Sequence, residues 1–557
     1  MIDPINELPN YLKDILKKSW AHSFQKHVFP SINEDRFSVL YSDNYASRPN
    51  TPVNVIVSLL IIKEMVSATD EELIGSLHFD IRYQYALRTT DYEKQPVSIN
   101  TLYNFRTRLS DYYNKTGIDL IKEEVESQAK IIADKLSIDG KTVRMDSFMV
   151  SSSCKRLSRI ELVYTVNHRF VKMLSEKAQE LIPEECKAYL EKGNKNETIY
   201  KTRDTDTESK LLFLLNQTKT LHEIGLNGGD QIICTEEFQH IDRLIKEQTK
   251  PDETGELQPK KGKEISPESL QNPTDPDATF RTKYGPNTGY VANIVETFDD
   301  KNSVISTYDL QPNIHSDSAF ADDVIEKLAV DEQEQASSEK IKVLVDGAYY
   351  SQDKAEIAAS KGIDLIPSNL VGRKPSSDKL SYSCFTIDAD KNIVSKCLND
   401  VTPEESTYVN NTYTVKFNPQ HCENCPHVSS CPFKVKKKHN VVTFSTKRYN
   451  TDLQRKKMGN KDYIEVTNLR AGVEGIPSVF RRFYEIDTMP VRGLVRSKIW
   501  LGFKVACYNV KKLLKGVTVA SFFLILSCIL ALTKRVLYLY KCCLRKRIKM
   551  VNISFCI

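Results

Sequence analysis

Apolar positions recur at helical spacing through the first 125 residues. Val53, Val57, Leu60, Ile61 and Met65 fall on one helical period behind Thr51-Pro52, a helix-start signal. A second helix is expected over residues 71–87 behind Asp70, and a third opens at Ser98 and carries Asn100, Asn104, Arg106 and Arg108. The period changes at residues 136–153, where Val143, Met145 and Ser147 alternate as in a strand. Residues 155–225 return to a charged helical pattern, and the Pro/Lys/Glu-rich stretch 248–288 reads as a linker or mobile loop. Beyond it, residues 289–297 and 304–308 predict a hairpin around Asp299-Asp300-Lys301-Asn302. A helix over 318–328 leads to the apolar run 341–345, which ends at Asp346-Gly347; a helix over 351–361 and a strand over 363–367 follow. This order predicts a mixed α/β region behind a helical N-terminal one, a multi-domain α+β chain.

Composition adds limits. A chain of 557 residues exceeds one ordinary domain, and 40% hydrophobic with 27% charged residues can build globular cores. The net charge of +5 points to no polyanionic partner by itself, so clustering of basic residues matters more. Thirteen cysteines, an odd number, make no disulfide framework in a chain this long. The start, Met1-Ile2-Asp3-Pro4, lacks the basic and apolar regions of a signal peptide, which sets a reducing, cytoplasmic expectation. The apolar run 516–533, between Lys511, Lys512, Lys515 and Lys534, Arg535, sits at the lower edge of a membrane span. A core helix or an altered tail is the blander reading, and a membrane partner is not expected.

Three carboxylates are candidates for chemistry. Asp346 ends a buried strand, where open α/β sheets place their ligands. Asp146 lies on or just after another strand, with Asp139 in Ile138-Asp139-Gly140-Lys141 as an alternative. Glu474 precedes a basic segment with Arg481, Arg482, Arg492 and Arg496. Converging carboxylates would make an all-oxygen site for Mg²⁺ or Mn²⁺. Among 73 acidic residues, composition alone selects none of them. The helix with Arg106 and Arg108 suits the last helix of a helix-turn-helix, though bundle surfaces carry arginines too. A second cluster is thiol-rich: Cys422-Glu423-Asn424-Cys425 and Cys431 have the spacing of a zinc knuckle, completed by Cys397, His421 or His427. A reduced, metal-free loop is the competing reading. Lys434, Lys436, Lys437 and Lys438 just beyond it would suit a DNA backbone.

Several blocks, taken in order, resemble the DDE transposases of bacterial insertion sequences over residues 37–514. They are Ser98-Ile99-Asn100-Thr101-Leu102 with Phe105-Arg106; Arg144-Met145-Asp146-Ser147; Asp275-Pro276-Asp277-Ala278 with Lys283 and Gly289-Tyr290; Val345-Asp346-Gly347-Ala348-Tyr349-Tyr350; Arg470-Ala471-Gly472-Val473-Glu474-Gly475; and Arg492-Gly493-Leu494 with Tyr508-Asn509-Val510. Two positions depart from the family's glutamate signature: Thr467 stands where a Tyr is usual, and Arg481 where a Lys is usual. The resemblance implies a ribonuclease-H-like catalytic domain, with Asp146, Asp346 and Glu474 holding Mg²⁺ or Mn²⁺ and Arg470 and Arg481 contacting DNA. It implies hydrolysis at the element's ends, attack by the freed 3′-hydroxyl on target DNA, and no covalent enzyme intermediate. Element ends and target DNA would be the partners of a homodimer, acting at a bacterial nucleoid. The expected domains are a helical DNA-binding part (1–125), the first part of the catalytic domain (130–370, with a helical insertion and linker at 155–285), a cysteine-rich insertion (371–460), a helical part with Glu474 (461–515) and an apolar, basic tail (516–557). A metal-dependent nuclease of the same fold, or an inactive DNA-binding protein, would share many of these features.

Overall fold

In a computed structural model of the chain, the structure describes residues 4–42, 50–89, 97–201, 207–253, 256–283, 285–334, 340–372, 376, 378–388 and 390–517. Two compact units emerge, each discontinuous in sequence. One comprises residues up to 139, 297–308 and those from 495 on; the other comprises 140–296 and 309–494.

The first unit is built on helices Val53–Val66, Asp70–Phe79, Ile81–Leu87, Ile99–Thr116 and Leu120–Leu136. Start signals are explicit: Thr69 with Glu72, and Ser98 with Thr101, form capping boxes that satisfy two otherwise orphaned N–H groups each. The single helix expected over 71–87 is in fact two. Asp80 breaks it, because its carboxylate accepts from the Arg82 N–H at 2.9 Å and caps a new helix instead of continuing the old one. Helical residues 495–517 pack into the same unit. There Asn509 acts as a strand edge for residue 305: its Oδ1 accepts from the Ile305 N–H and its Nδ2 donates to the Ile305 carbonyl, both at 2.9 Å. A buried ion pair joins Lys504 to Glu64 at 2.7 Å.

The second unit holds a mixed sheet with six strands among the described residues: β1 (Thr142–Ser151), β2 (Thr279–Thr282), β3 (Pro286–Phe298), β4 (Ser303–Pro312), β5 (Ile341–Val345) and β6 (Ile363–Pro367). The order is β4–β3–β1–β5–β6, with β2 antiparallel on β3 and with β1, β5 and β6 mutually parallel. The far ends of β3 and β4 count with the first unit. One face of the sheet buries Val143, Met145, Val343 and Val345 against Phe320 and Val324 of the helix Asp317–Glu334. On the other face Phe148 meets Phe480, with ring centroids 6.1 Å apart. The fold class is α/β, multi-domain, with a mixed sheet.

Helices Arg159–Lys177, Thr207–Asn227 and Glu236–Gln248 form a separate core around Phe170, Leu215 and Ile241. The stretch 248–288, expected as a linker, is pinned down in its described part. Arg159, Arg169 and Arg243 donate to the carbonyls of Lys260, Pro273 and Pro276 at 2.7, 2.6 and 2.8 Å, and Leu270, Asn272 and Asp275 are buried. Guanidinium groups here supply the partners that a sheet ladder would otherwise give. A smaller antiparallel sheet, built from Glu405–Val409, Thr412–Phe417, Lys434–Val435 and Asn440–Ser445, carries the cysteine-rich segment. The apolar run at 516–533 lies, beyond Val517, outside the described residues. Among the described residues no helix is long and apolar enough to cross a membrane.

Candidate active site

Parallel pairing sets Thr142 opposite Lys342, Val143 opposite Val343 and Arg144 opposite Leu344. Asp146 and Asp346 each lie two residues further on, so neighbouring strands bring the two carboxylates level. Burial pushes the Asp146 carboxyl above its usual range; Arg470 and the Ser147 N–H counter this, while the nearby Asp346 charge adds to it. Asp139 is exposed and precedes β1, so it is Asp146 that stands beside Asp346. The turn after β5 is tight. Gly347 donates to Asp346 Oδ1 and Asn369 Oδ1, both at 2.8 Å, and a Cβ at Gly347 would lie 2.3 Å from Asn369 Oδ1.

Glu474 arrives on the short 3₁₀ turn Leu469–Glu474, between helices Lys461–Asn468 and Gly475–Phe483. Arg470 links it to the sheet: one guanidinium nitrogen lies 3.2 Å from Asp146 Oδ1 and another donates to Glu474 Oε1 at 2.9 Å. The Arg470 Nε is buried with no hydrogen-bond partner. The turn itself is held by Arg144, two residues before Asp146. Its Nη1 donates to the Leu469 carbonyl at 2.6 Å, its Nε donates to the buried Glu296 at 2.7 Å, and its guanidinium fills the space where a Cβ on Gly472 would sit. Three carboxylates and one guanidinium therefore share a small region, although among the described residues no three His, Cys, Asp or Glu side chains stand at metal-coordinating positions.

A family model described as the transposase DDE domain matches residues 395–514. Over those residues the chain is similar to a transposase DDE domain. No curated protein and no solved structure matches the chain. Domains of that family belong to enzymes that act on DNA. Within the matched part of the DDE domain lie Arg470, Glu474, Arg481 and the thiol cluster; Asp146 and Asp346 precede it.

The other residues singled out in the sequence fall in separate places. Arg481 lies over the Phe148 ring at 5.9 Å and 3.3 Å from Asp487, on the same face of β1 as Asp146. Lys434, Lys436, Lys437 and Lys438 are exposed on the smaller sheet. Cys397, Cys422, Cys425 and Cys431 line one small cavity there. Arg106 and Arg108 belong to the other unit. There Arg106 donates to both Asp70 oxygens, at 2.6 and 2.9 Å, and Arg108 lies 4.7 Å over the Tyr41 ring.

Sequence reasoning missed a second charged group beside Asp146. Asp317, buried, accepts from Ser147 Oγ at 2.7 Å, and Arg281 and Lys283 approach it at 3.7 and 3.5 Å. The Lys283 charge also reaches Asp146. Lys283 was visible in its sequence block, but nothing in the pattern paired it with Asp317. The Asp275 block is structural: Asp275, fully buried, accepts from Tyr290 Oη at 2.5 Å and from the Gly493 N–H at 3.0 Å. Tyr463, one helical turn before Thr467, donates to the Pro367 carbonyl at 2.8 Å at the end of β6. A tyrosine thus braces the glutamate segment from one turn upstream of its expected position.

Proposed function

We propose that this transposase cleaves the ends of an insertion sequence and joins the freed 3′-hydroxyls to target DNA, using Mg²⁺ or Mn²⁺ held by Asp146, Asp346 and Glu474. The observation that carries this reading is the pair of aspartates level on parallel strands, with Arg470 tying Asp146 to Glu474. The donor set fits a hard divalent cation: it is all carboxylate oxygen, and the proximity of Asp346 already penalises the charge on Asp146. When bound, such ions would supply an activated water or 3′-hydroxyl and would stabilise the leaving oxygen. The strand order β4–β3–β1–β5–β6 supports a ribonuclease-H-like arrangement of this catalytic part.

The chain's own groups supply the grip on DNA. Arg470 presents a planar guanidinium beside the carboxylates, and Arg281, Lys283 and Arg481 surround it as phosphate contacts. Lys436 and Lys437 would hold the backbone further out. Arg108 is exposed for DNA contact in the helical unit, whereas Arg106 would first have to leave Asp70. Assembly as a homodimer on paired ends belongs to the same proposal.

The test is Mg²⁺-dependent cleavage and strand transfer on DNA bearing the flanking inverted repeats, with wild type set against Asp346→Asn. Cleavage and joining by the wild type alone support the reading. Equal cleavage by both removes Asp346 from the site. Cleavage without joined product would make the protein a nuclease of the same fold, and binding with no cleavage would make it a DNA-binding protein only.

A further inference from the structure

The smaller sheet is a thin support for the chain that it carries. Its core is a set of aromatic contacts, Phe385, Tyr413, Phe417 and Phe444, with centroid distances of 5.3 to 6.3 Å. Residues 418–433 leave that sheet and return to it with only a five-residue helix, Pro419–Glu423, and a run of turns. These turns are close ones: Cys425 N–H donates to the Cys422 carbonyl at 3.2 Å, Val428 N–H to the Cys425 carbonyl at 3.0 Å, and Cys431 N–H to the His427 carbonyl at 2.9 Å. Cys397 comes from a different place, just after the strand Ile393–Lys396.

All four cysteines nevertheless line the same cavity, of about 30 Å³, walled otherwise by His421 and by apolar side chains such as Phe417 and Val442. That is room for one small ion or one water. We infer that Cys397, Cys422, Cys425 and Cys431 bind one structural Zn²⁺ in this cavity, which staples the 418–433 loop to the segment after residue 396. Spacing left the fourth donor open among Cys397, His421 and His427. The cavity favours Cys397, since His427 does not line it and four thiolates complete a tetrahedral set without His421. Cys384, only a short distance along the chain from Phe385, does not line it either.

The chemistry explains why cysteines would gather here. A cavity with this many apolar walls raises the cost of a lone, uncompensated thiolate. As a reduced loop, the arrangement gains nothing from four sulfurs that repel one another when ionised. A soft dication reverses that cost, takes four thiolates and releases their protons. Because the thiols do not stand at coordinating positions, the ion would draw them in from the cavity wall.

The test uses the full chain and reads metal, independently of DNA cleavage. Protein expressed with zinc and purified without chelator should hold about one zinc per chain by elemental analysis, released on titration with an organomercurial thiol reagent. Cobalt in its place should show a thiolate-to-cobalt charge-transfer band and intense tetrahedral d–d bands. Cys397→Ser and Cys431→Ser should each lose the metal, and Cys384→Ser should keep it. Folded wild-type protein without zinc, whose melting a chelator leaves unchanged, would overturn the proposal. So would zinc retained by Cys397→Ser but lost by His421→Ala.

Discussion

Arg144 works at a distance from any reacting atom, yet it decides where Glu474 stands. It reaches from β1 to the Leu469 carbonyl and lies on Gly472, so it fixes the turn that carries both Arg470 and Glu474. Arg144→Ala is expected to lower the cleavage rate by about 10²-fold with DNA affinity nearly unchanged, as small misplacements of a catalytic group do. Arg144→Lys should recover little, because an ammonium cannot bond Glu296 and Leu469 together from one plane. Gly472→Ala should act through the same contact, since its new Cβ would lie 2.0 Å from Arg144 Nη1. Added to Arg144→Ala it should therefore cost nothing more, which a double-mutant cycle of cleavage rates would measure. The reach of sequence reasoning is clear at this scale. Asp146 and Asp346 were marked as candidates by their place at strands and by block resemblance. Glu474 and Arg470 were marked by block resemblance alone. Arg144, Asp317 and Arg281 were not, since their partners lie far off in sequence. The same blindness applies to Arg106: a helix bearing two arginines does not reveal that one of them is committed to Asp70, which the pair holds well below the usual carboxylate range.

At the level of elements, start signals and alternation located most helices and strands, and they failed where polar side chains do structural work. Asp80 split a helix that periodicity had joined, and arginines ordered a stretch whose composition suggested a linker. Asn509 belongs to the same class. It satisfies the N–H and carbonyl of Ile305, buried groups that have no water to turn to. Asn509→Leu keeps the branching at Cγ and removes both bonds, so it should destabilise the protein by ~2–6 kcal/mol, from two unmet backbone groups at ~1–3 kcal/mol each. Chemical denaturation of the two proteins measures this. A change below about 0.5 kcal/mol would mean that the helix and the hairpin tip do not depend on that side chain.

At the scale of the whole molecule, the mixed α/β class was readable from the order of elements, but the interleaving of the two units was not. Pattern reading divides a chain into consecutive stretches, and contacts between residues 305 and 509 leave no local trace. The helical unit draws on three separate stretches of chain. Residues 1–139 expressed alone would lack Gly502, which lies against Ile121, and Lys504, which pairs with Glu64. Such a fragment should show helical circular dichroism without a cooperative thermal transition. A sharp transition from it would show that the helices of residues 1–139 suffice.

That interleaving also bears on how the chain is made. The helix that completes the first unit lies beyond residue 494, so residues 1–139 must wait for residues made at least 355 positions later. At ~5–20 residues per second, synthesis of the intervening 140–494 takes on the order of 20–70 s. During that interval the second unit has all its residues available first, and the N-terminal helices keep their apolar faces exposed. Vectorial synthesis thus reverses the order along the chain: the mixed sheet closes early, and residues 1–139 finish folding after it.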